Sequence, residues 1–288
     1  MTQHFRQYFS IVAITLAVAC FPLNSLATDD AQELLDFLKT EAAPPAPLLP
    51  DDVTIADVFV PGDGVSVGEA QLVQGKVFVI HQAAKIAYRL KKGLAVFLGD
   101  TLITESRSRV SLLMADQSAL ALAGRSKLVI DESVYDIKTN SRDTQLRLLF
   151  GRIRSIVSKI GSEPNYKIKT PTAVAGVRGT DFGLAVGLVA SKKTSALQHS
   201  LAFLNPVHEA HAVAPDVLMT VALTGQGSTI GFTGAIGETT ILGPASVASV
   251  IDGAATSAAI FVGVDAASKA LNTIGPGLAT MSMPPEFD

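Results

Sequence analysis

Residues Lys167 to Gly183 read KIKTPTAVAGVRGTDFG. This stretch opens with an alternation of polar and apolar residues, which is typical of a β-strand. Pro171 ends or edges this strand, because proline lacks an amide hydrogen and fixes φ. The small and β-branched residues 173–177 then predict a closely packed extended segment. We expect a turn at residues 178–181, after which Phe182 enters another apolar strand.

The predicted turn contains the strongest polar pair of the chain, Arg178 and Asp181. Gly179 accepts a positive φ at little cost, and the side chains of Thr180 and Asp181 can bond to nearby backbone amides. We interpret Arg178 and Asp181 as an ion pair that locks the turn, in preference to a ligand contact. Arg178→Ala should then cost roughly 2–4 kcal/mol of stability.

Four further stretches accompany this segment in a fixed order. They are residues 99–104 (GDTLIT), 111–122 (SLLMADQSALAL), 126–136 (SKLVIDESVYD) and 149–153 (LFGRI). Together with residues 167–183 they resemble the FecR domain family, over roughly residues 70 to 188, and several ordered motifs are a fairly specific signal. One departure is the turn Asp116-Gln117, where the family usually has aspartate and glycine.

The resemblance assigns a structural signature to residues in both halves of the domain. These residues are Gly99, Asp100, Thr104, Thr170, Pro171, Gly176, Arg178, Gly179, Thr180, Asp181 and Phe182. The resemblance implies no catalytic, cofactor-binding or metal-binding role for any of them.

The pattern of the chain predicts an all-β fold, either a short-strand β-sandwich or a β-solenoid-like domain. Short apolar runs, of which Val58 to Val60 is the first, alternate with glycine-containing turns. No repeat is strict enough to identify a named solenoid. We expect a protease-resistant β domain at residues 65–190. An Ala/Gly/Thr-rich region at 191–288 should complete the β fold, with a short helix near Asp265 to Leu271.

The amino-terminal residues 1–27 have the layout of a signal peptide. An uncharged run from Ile11 to Leu23 precedes the small residues of Ser25-Leu26-Ala27, which predicts cleavage after Ala27. The alternative is lipid attachment at Cys20, the single cysteine, in a loosely matching lipoprotein box. Residues 28–52 read as a peripheral helix over Asp29 to Thr40, followed by a proline-rich linker.

Charge is partitioned along the chain. Residues 28–75 carry one lysine and ten acids, residues 76–193 carry twenty bases and nine acids, and residues 194–288 carry one lysine and seven acids. The basic middle can attract the chain's own termini, a second copy or an anionic envelope polymer, or it can reflect solvent-facing Lys and Arg on alternating strands. Export and the lack of a stacking aromatic strand exclude nucleic acid.

The chain is not expected to be an enzyme or to hold a cofactor. It contains no GxSxG elbow and no phosphate-binding loop. The cluster His208, Glu209 and His211, with His199, lacks the spacing of a zinc protease and reads as loop. Val217 to Gly237 carries no charge, but its many polar residues and glycines argue against a membrane span.

We therefore expect a non-catalytic exported protein that acts as a binding or sensing module in the bacterial envelope, in the periplasm or outside the cell. The best-known FecR-like proteins relay a signal through a membrane span to a sigma factor. Because an export signal stands at the start of this chain, it looks like a stand-alone exported relative. The alternatives are a structural or adhesive surface component, or a regulator of envelope signalling through a partner protein.

Overall fold

The computed structural model describes residues 24–82, 84–136, 138–139, 141–159, 165–177, 179–190, 216–252 and 254–280. The strands are β1 (Thr54–Ala56), β2 (Ser66–Gln74), β3 (Val77–Ile80), β4 (Ile86–Arg89), β5 (Ala95–Phe97), β6 (Thr101–Thr104), β7 (Arg109–Met114), β8 (Ala119–Leu122), β9 (Ser126–Asp136), β10 (Ser141–Ile156), β11 (Asn165–Lys169), β12 (Ala173–Val177), β13 (Asp181–Val189), β14 (Val217–Thr224), β15 (Ile230–Gly234), β16 (Thr239–Leu242), β17 (Ser246–Ile251) and β18 (Ile260–Phe261). The helices are α1 (Asn24–Lys39), α2 (Val264–Ile274) and a 3₁₀ turn (Leu278–Thr280). The predicted all-β class is confirmed.

The strands pair into two sheets that grow along the chain. The first sheet has the order β1-β4-β3-β6-β9-β10-β11-β12-β15-β16, and the second has the order β5-β2-β7-β8-β10-β13-β14-β17-β18. Each new hairpin is thus added beside the preceding one. The C-terminal strands β14–β18 continue the same sheets, because β14 pairs with β13 and β15 pairs with β12.

Strand β10 belongs to both sheets. Its first part pairs with β9 and β11 in the first sheet, and its last part pairs with β8 and β13 in the second. The crossing point is Gly151, which has a φ of +92°. A Cβ at Gly151 would lie 2.1 Å from the Ser126 hydroxyl, so only glycine fits there.

Burial along the strands follows from this two-layer arrangement. In the first part of β10, alternate residues are buried, as in a strand with one wet face, whereas residues 150–155 are buried continuously. One hydrophobic core contains side chains of both sheets, for example Leu128 of the first and Leu122 of the second. A second core separates the second sheet from the helices, which explains the continuous burial.

Both helices lie on the outer face of the second sheet. Helix α1 buries Leu35 and Leu38 there, and α2 packs beside it through residues spaced by three and four, from Ala267 to Ile274. The helices predicted from sequence are therefore present, and α1 begins at Asn24, earlier than expected. The predicted strand at Val58 to Val60 is wrong, because residues 57–63 run as an irregular segment over the edge of the sheets.

A structural repeat relates the two halves of the chain. The sequence can be aligned with itself at an offset of 120 positions without a gap. This alignment matches the strands from Thr104 onward (β6–β9) with the strands from Thr224 onward (β14–β17). The strand starts at Ser126 and Ser246 coincide in this alignment. Corresponding strands of the two copies lie in opposite sheets: β8 lies in the second sheet, whereas its counterpart β16 lies in the first.

The repeat contains serine corners, which are bends in which a buried serine follows a residue with positive φ. Each of four buried serines follows a residue with positive φ: Arg107-Ser108, Arg125-Ser126, Gly227-Ser228 and Ala245-Ser246. Three of the serine hydroxyls accept a backbone N–H from elsewhere in the fold: Ser108 from Lys76 at 2.9 Å, Ser126 from Arg152 at 2.9 Å and Ser228 from Asp181 at 3.0 Å. These bonds satisfy amides that the bends would otherwise leave unpaired.

Candidate binding site

The turn between β5 and β6 holds the signature residues Gly99 and Asp100. Gly99 has a φ of +79° and donates its amide to the Ile130 carbonyl at 2.8 Å. Asp100 is fully buried, and its Oδ2 accepts the Phe97 amide at 2.8 Å. The Asp100 carbonyl accepts the Ile130 amide at 3.0 Å. This turn therefore fastens β5 and β6 to β9.

The buried Asp100 carboxylate also orients His81. The His81 Nδ1 lies 2.7 Å from Asp100 Oδ1, and its Nε2 lies 2.8 Å from the Val60 carbonyl oxygen. Since both neighbours are acceptors, a doubly protonated ring donates to each of them. Burial raises the pKa of Asp100, while the hydrogen bonds from His81 and from the Phe97 amide lower it in part.

Aromatic rings enclose His81. The ring centroids of Phe59, Tyr88 and Phe97 lie 5.7, 5.3 and 5.6 Å from that of His81. Phe59 belongs to residues 57–63, which we call the strap. The hydrogen bond to Val60 and the ring contact to Phe59 therefore hold the strap against the signature turn.

A cavity of about 400 Å³ lies between the strap and the turn. It is lined by Pro61, Gly62, Asp63, His81, Gln82, Ala84, Tyr88, Phe97, Leu98 and Asp100. Four large apolar side chains stand exposed on the strap and beside it: Val58 (74%), Val60 (53%), Val65 (86%) and Leu98 (46%). We call these four residues the strap surface. A grouping of this kind on a folded protein is typical of a protein-binding site.

Replacing Asp100 by alanine should destabilise the fold by about 2–4 kcal/mol, because the Phe97 amide and His81 then lose a buried acceptor. Asp131 offers the matched control, since it also stands in this strand region but pairs with Arg147 at the surface. Asp131→Ala should cost less than about 1 kcal/mol. Urea unfolding measures both, and equal losses would show that the Asp100 contacts add nothing.

Thr104, the signature threonine at the end of β6, stabilises the serine corner at Ser126; its hydroxyl is used there and not for a ligand. Its hydroxyl donates to the Ala123 carbonyl at 2.5 Å and accepts the Ser126 amide at 3.0 Å. Thr224 repeats the arrangement, because it donates to the Gly243 carbonyl and accepts the Ser246 amide. The predicted structural role of Thr104 agrees with this geometry.

The second signature segment is spread over β11 to β13. Thr170 accepts the Ala173 amide at 2.9 Å and lies 2.9 Å from the Thr220 hydroxyl, beside the exposed Pro171. Gly176 lies opposite Gly231 in the β12–β15 pair. The signature segment therefore contacts the C-terminal strands through both Thr170 and Gly176.

The remaining signature residues surround the start of β13. Phe182 is fully buried in the main core. Thr180 exchanges two backbone hydrogen bonds of 2.9 Å with Val157, and Gly179 has a φ of +70°. Arg178 lies outside the described residues, so its proposed pairing with Asp181 stays a prediction.

Asp181 pairs with Arg154, a contact that the sequence does not signal. The Arg154 Nε and Nη2 donate to Asp181 Oδ1 and Oδ2 at 2.9 and 2.8 Å. The Arg154 Nη1 also donates to Asn272 Oδ1 at 2.7 Å and to the Gly275 carbonyl at 2.9 Å. Arg154 thus connects β10 and β13 to the C-terminal end of helix α2.

A fully buried ion pair, Arg142 and Asp116, lies beside the core. Arg142 Nη1 donates to Asp116 Oδ2 at 3.1 Å, and Asp116 Oδ1 accepts the Ser118 amide at 3.0 Å. The Arg142 guanidinium lies 5.2 Å from the centroid of the Tyr166 ring. Burial raises the pKa of Tyr166, whose hydroxyl lies 3.0 Å from that of Ser155. Asp116 is therefore more than a turn residue.

Among the described residues, no three His, Cys, Asp or Glu side chains lie together as metal ligands would. The sequence cluster His199, His208, Glu209 and His211 falls outside the described residues. In the described part of the chain, no helix combines the length and apolarity that crossing a membrane requires.

Comparison with known proteins gives a family match and a distant likeness to solved structures. Two crystal structures of a protein described as an anti-sigma factor from Parabacteroides distasonis ATCC 8503, at 2.50 and 1.65 Å resolution, share 9% sequence identity with this chain. Each alignment covers 55% of this chain and 59% of the other, with TM-scores of 0.36 and 0.35. We draw no conclusion about fold or function from a likeness this low. No curated protein sequence matches the chain significantly.

The family comparison agrees with the resemblance found in the sequence. Residues 100–198 match the family described as FecR protein. The matched range includes β6 to β13, and therefore the first copy of the structural repeat and the Arg154–Asp181 contact. This match supports a signalling or regulatory role in the bacterial envelope. Residues 100–198 of this chain are therefore a FecR domain.

Proposed function

We propose that this protein is a non-catalytic, exported module that regulates envelope signalling by binding a partner protein through the strap surface. The observation that carries the proposal is the exposure of Val58, Val60, Val65 and Leu98 on and beside the strap, where Leu98 also lines the cavity of about 400 Å³. These side chains lie next to Asp100, a residue of the FecR signature. Burying these apolar side chains against a partner removes their surface from water, which favours association.

The chemistry of the strap indicates the kind of partner. Asp57 and Asp63 lie on the strap itself, and both are exposed. The surface is therefore apolar with acidic groups, which favours a partner that presents apolar side chains with basic residues around them. His81 holds the strap in place, so the surface is preformed and little ordering is needed on binding.

The double variant Val65→Asp/Leu98→Asp should bind the envelope partner at least about tenfold more weakly, because two charges must then be buried at the interface. The matched control is Ile236→Asp/Ile241→Asp, which alters two exposed isoleucines on and beside β16. Binding of the labelled proteins to an envelope extract of the source bacterium measures the effect, and thermal melting checks that both variants fold. Equal binding by parent and strap variant would contradict the proposal.

A structural or adhesive role is the second candidate, and the edge of β16 favours it. In the first copy of the repeat, β8 pairs on both sides, with β7 and β10. Its counterpart β16 pairs with β15 alone among the described strands, and Ile241 on it is 63% exposed. An open edge of this kind can accept a strand from another copy. Concentration-dependent association that Ile241→Lys abolishes would support this role over the first.

Export is part of the proposal and rests on residues 1–27 of the sequence. Cleavage after Ala27 gives a mature protein that begins with Thr28 inside helix α1. Mass spectrometry of the mature amino terminus tests it. A lipid-modified Cys20 would instead place the protein on a membrane surface.

A further inference from the structure

A second cavity, of about 280 Å³, lies beside the turn between β6 and β7. Its walls come from that turn, from the corner after β8, and from the C-terminal ends of both helices. The lining residues are Glu41, Arg107, Ser108, Arg109, Ala123, Gly124, Arg152, Thr273 and Ile274. Three arginines therefore line one small space.

Arg152 is the buried member of this set, with only 7% of its surface exposed. Its Nη1 donates to the carbonyls of Leu38 and Lys39, at the end of helix α1, at 3.3 and 2.6 Å. Its Nε is buried and makes no hydrogen bond to any described residue. Burial lowers the pKa of Arg152, because the charged guanidinium loses contact with water, while the Glu41 carboxylate raises that pKa in part. An anion in the cavity would compensate this cation.

The one carboxylate in the cavity wall is already neutralised. Glu41 accepts from Arg125 Nε at 3.2 Å and from the Arg107 amide at 3.2 Å. The nearby Glu105 carboxylate pairs with Lys76 at 3.4 Å. Arg109, another cation of the cavity, donates its Nε to the side chain of Gln74. Gln74 is neutral, so this contact does not balance the positive charge of Arg109. The cavity consequently keeps an excess of positive charge.

We propose that this cavity binds an oxyanion group, a carboxylate or a phosphate, supplied by a free small acid or by an acidic sugar of an envelope polysaccharide. Guanidinium groups suit such ligands because their N–H donors match the spacing of two oxygens. Glu41 demonstrates the fit, since its carboxylate already bonds to a guanidinium and a backbone amide at the cavity wall. The site lies apart from the strap surface, with no lining residue in common.

The test compares two pairs of neutralised cations by titration calorimetry at low ionic strength. Arg107→Asn/Arg109→Gln removes two cations of the cavity, and asparagine tolerates the positive φ of +53° at position 107. Lys91→Gln/Lys92→Gln removes the same charge from the exposed turn before β5. The probes are inorganic phosphate, glucuronate, monomeric galacturonate and polygalacturonate, with glucose as the uncharged control.

Phosphate and glucuronate should bind the parent and the lysine variant alike, and the arginine variant at least about tenfold more weakly. Glu41→Gln should tighten binding several-fold, because it removes a like charge beside the ligand. Absent binding to the parent, or equal losses in the two double variants, would overturn the proposal. Tighter binding of polygalacturonate per sugar than of monomeric galacturonate assigns the site to a polysaccharide, and equal binding assigns it to a free acid.

Discussion

Replacing Asp116 by asparagine should lower the free energy of unfolding by about 3–5 kcal/mol, the range expected when one partner of a buried ion pair is removed. Asparagine still accepts the Ser118 amide, so the turn keeps that bond. The Arg142 side chain, fully buried, loses its counter-ion. Its Nε and Nη2 already lack partners among the described residues, so no other described acceptor can replace Asp116.

The double variant Asp116→Asn/Arg142→Met distinguishes the contribution of the ion pair to stability from the contribution of side-chain packing. A methionine of similar length can fill the space over Tyr166 without a charge, so most of the lost stability should return. Arg147→Met, at a surface pair on the same strand, is the control and should cost less than about 1 kcal/mol. Denaturant unfolding of the parent, the single variants Asp116→Asn and Arg142→Met, and the double variant measures the cycle, and simple additivity of the two buried substitutions would disprove the coupling.

Arg154→Ala should detach helix α2 and cost about 2–4 kcal/mol. The guanidinium is almost fully buried and bonds to Asp181, Asn272 and the Gly275 carbonyl. Its loss leaves the helix held only by the apolar contacts of residues from Ala267 to Ile274. Hydrogen exchange should therefore show faster exchange of the amides of α2, while the amides of the main core keep their protection.

The control for this effect is Asn272→Ala, which removes one of the two helix contacts and leaves the pair of Arg154 and Asp181 intact. It should cost about 1 kcal/mol. Uniform loss of protection throughout the chain in Arg154→Ala would contradict the assigned role, because it would show that α2 and the sheets unfold as one unit.

The strands were predictable because short-range patterns determine them. The alternation that begins at Lys167 and the small residues in 173–177 specify a half-buried and a closely packed strand, as observed. Helix α2 was predictable from its apolar spacing. Residues 58–60 have the same apolar character but form the strap, because His81 and its ring neighbours hold them away from the sheets.

The contacts that define the sites could not be predicted, because they join residues far apart in sequence. Asp181 was matched with its neighbour Arg178, whereas its described partner Arg154 is 27 residues away. His81 contacts Asp100 and the strap through the fold alone. The repeat could not be predicted either, because at most of its positions the backbone conformation is preserved and the residue type is not. An example is the positive φ shared by Gln117 and Gly237.

The charge partition found in the sequence has a partial structural explanation. The acidic amino-terminal segment contacts the basic middle through Glu41 to Arg125 and Asp52 to Lys85. These contacts agree with the expectation that the middle attracts the chain's own termini. They leave Arg107 and Arg109 facing the smaller cavity, where we place the oxyanion.

The most direct test of the proposed function is photo-crosslinking in the source bacterium. A photoreactive residue replaces Val65 in one variant and Ile241 in another, since both positions are exposed and lie on opposite ends of the sheets. We predict that position 65 gives one discrete crosslink to a different envelope protein, which Leu98→Asp removes, and that position 241 gives none. Crosslinks at 241 alone, or only to a second copy of this chain, would contradict the proposal.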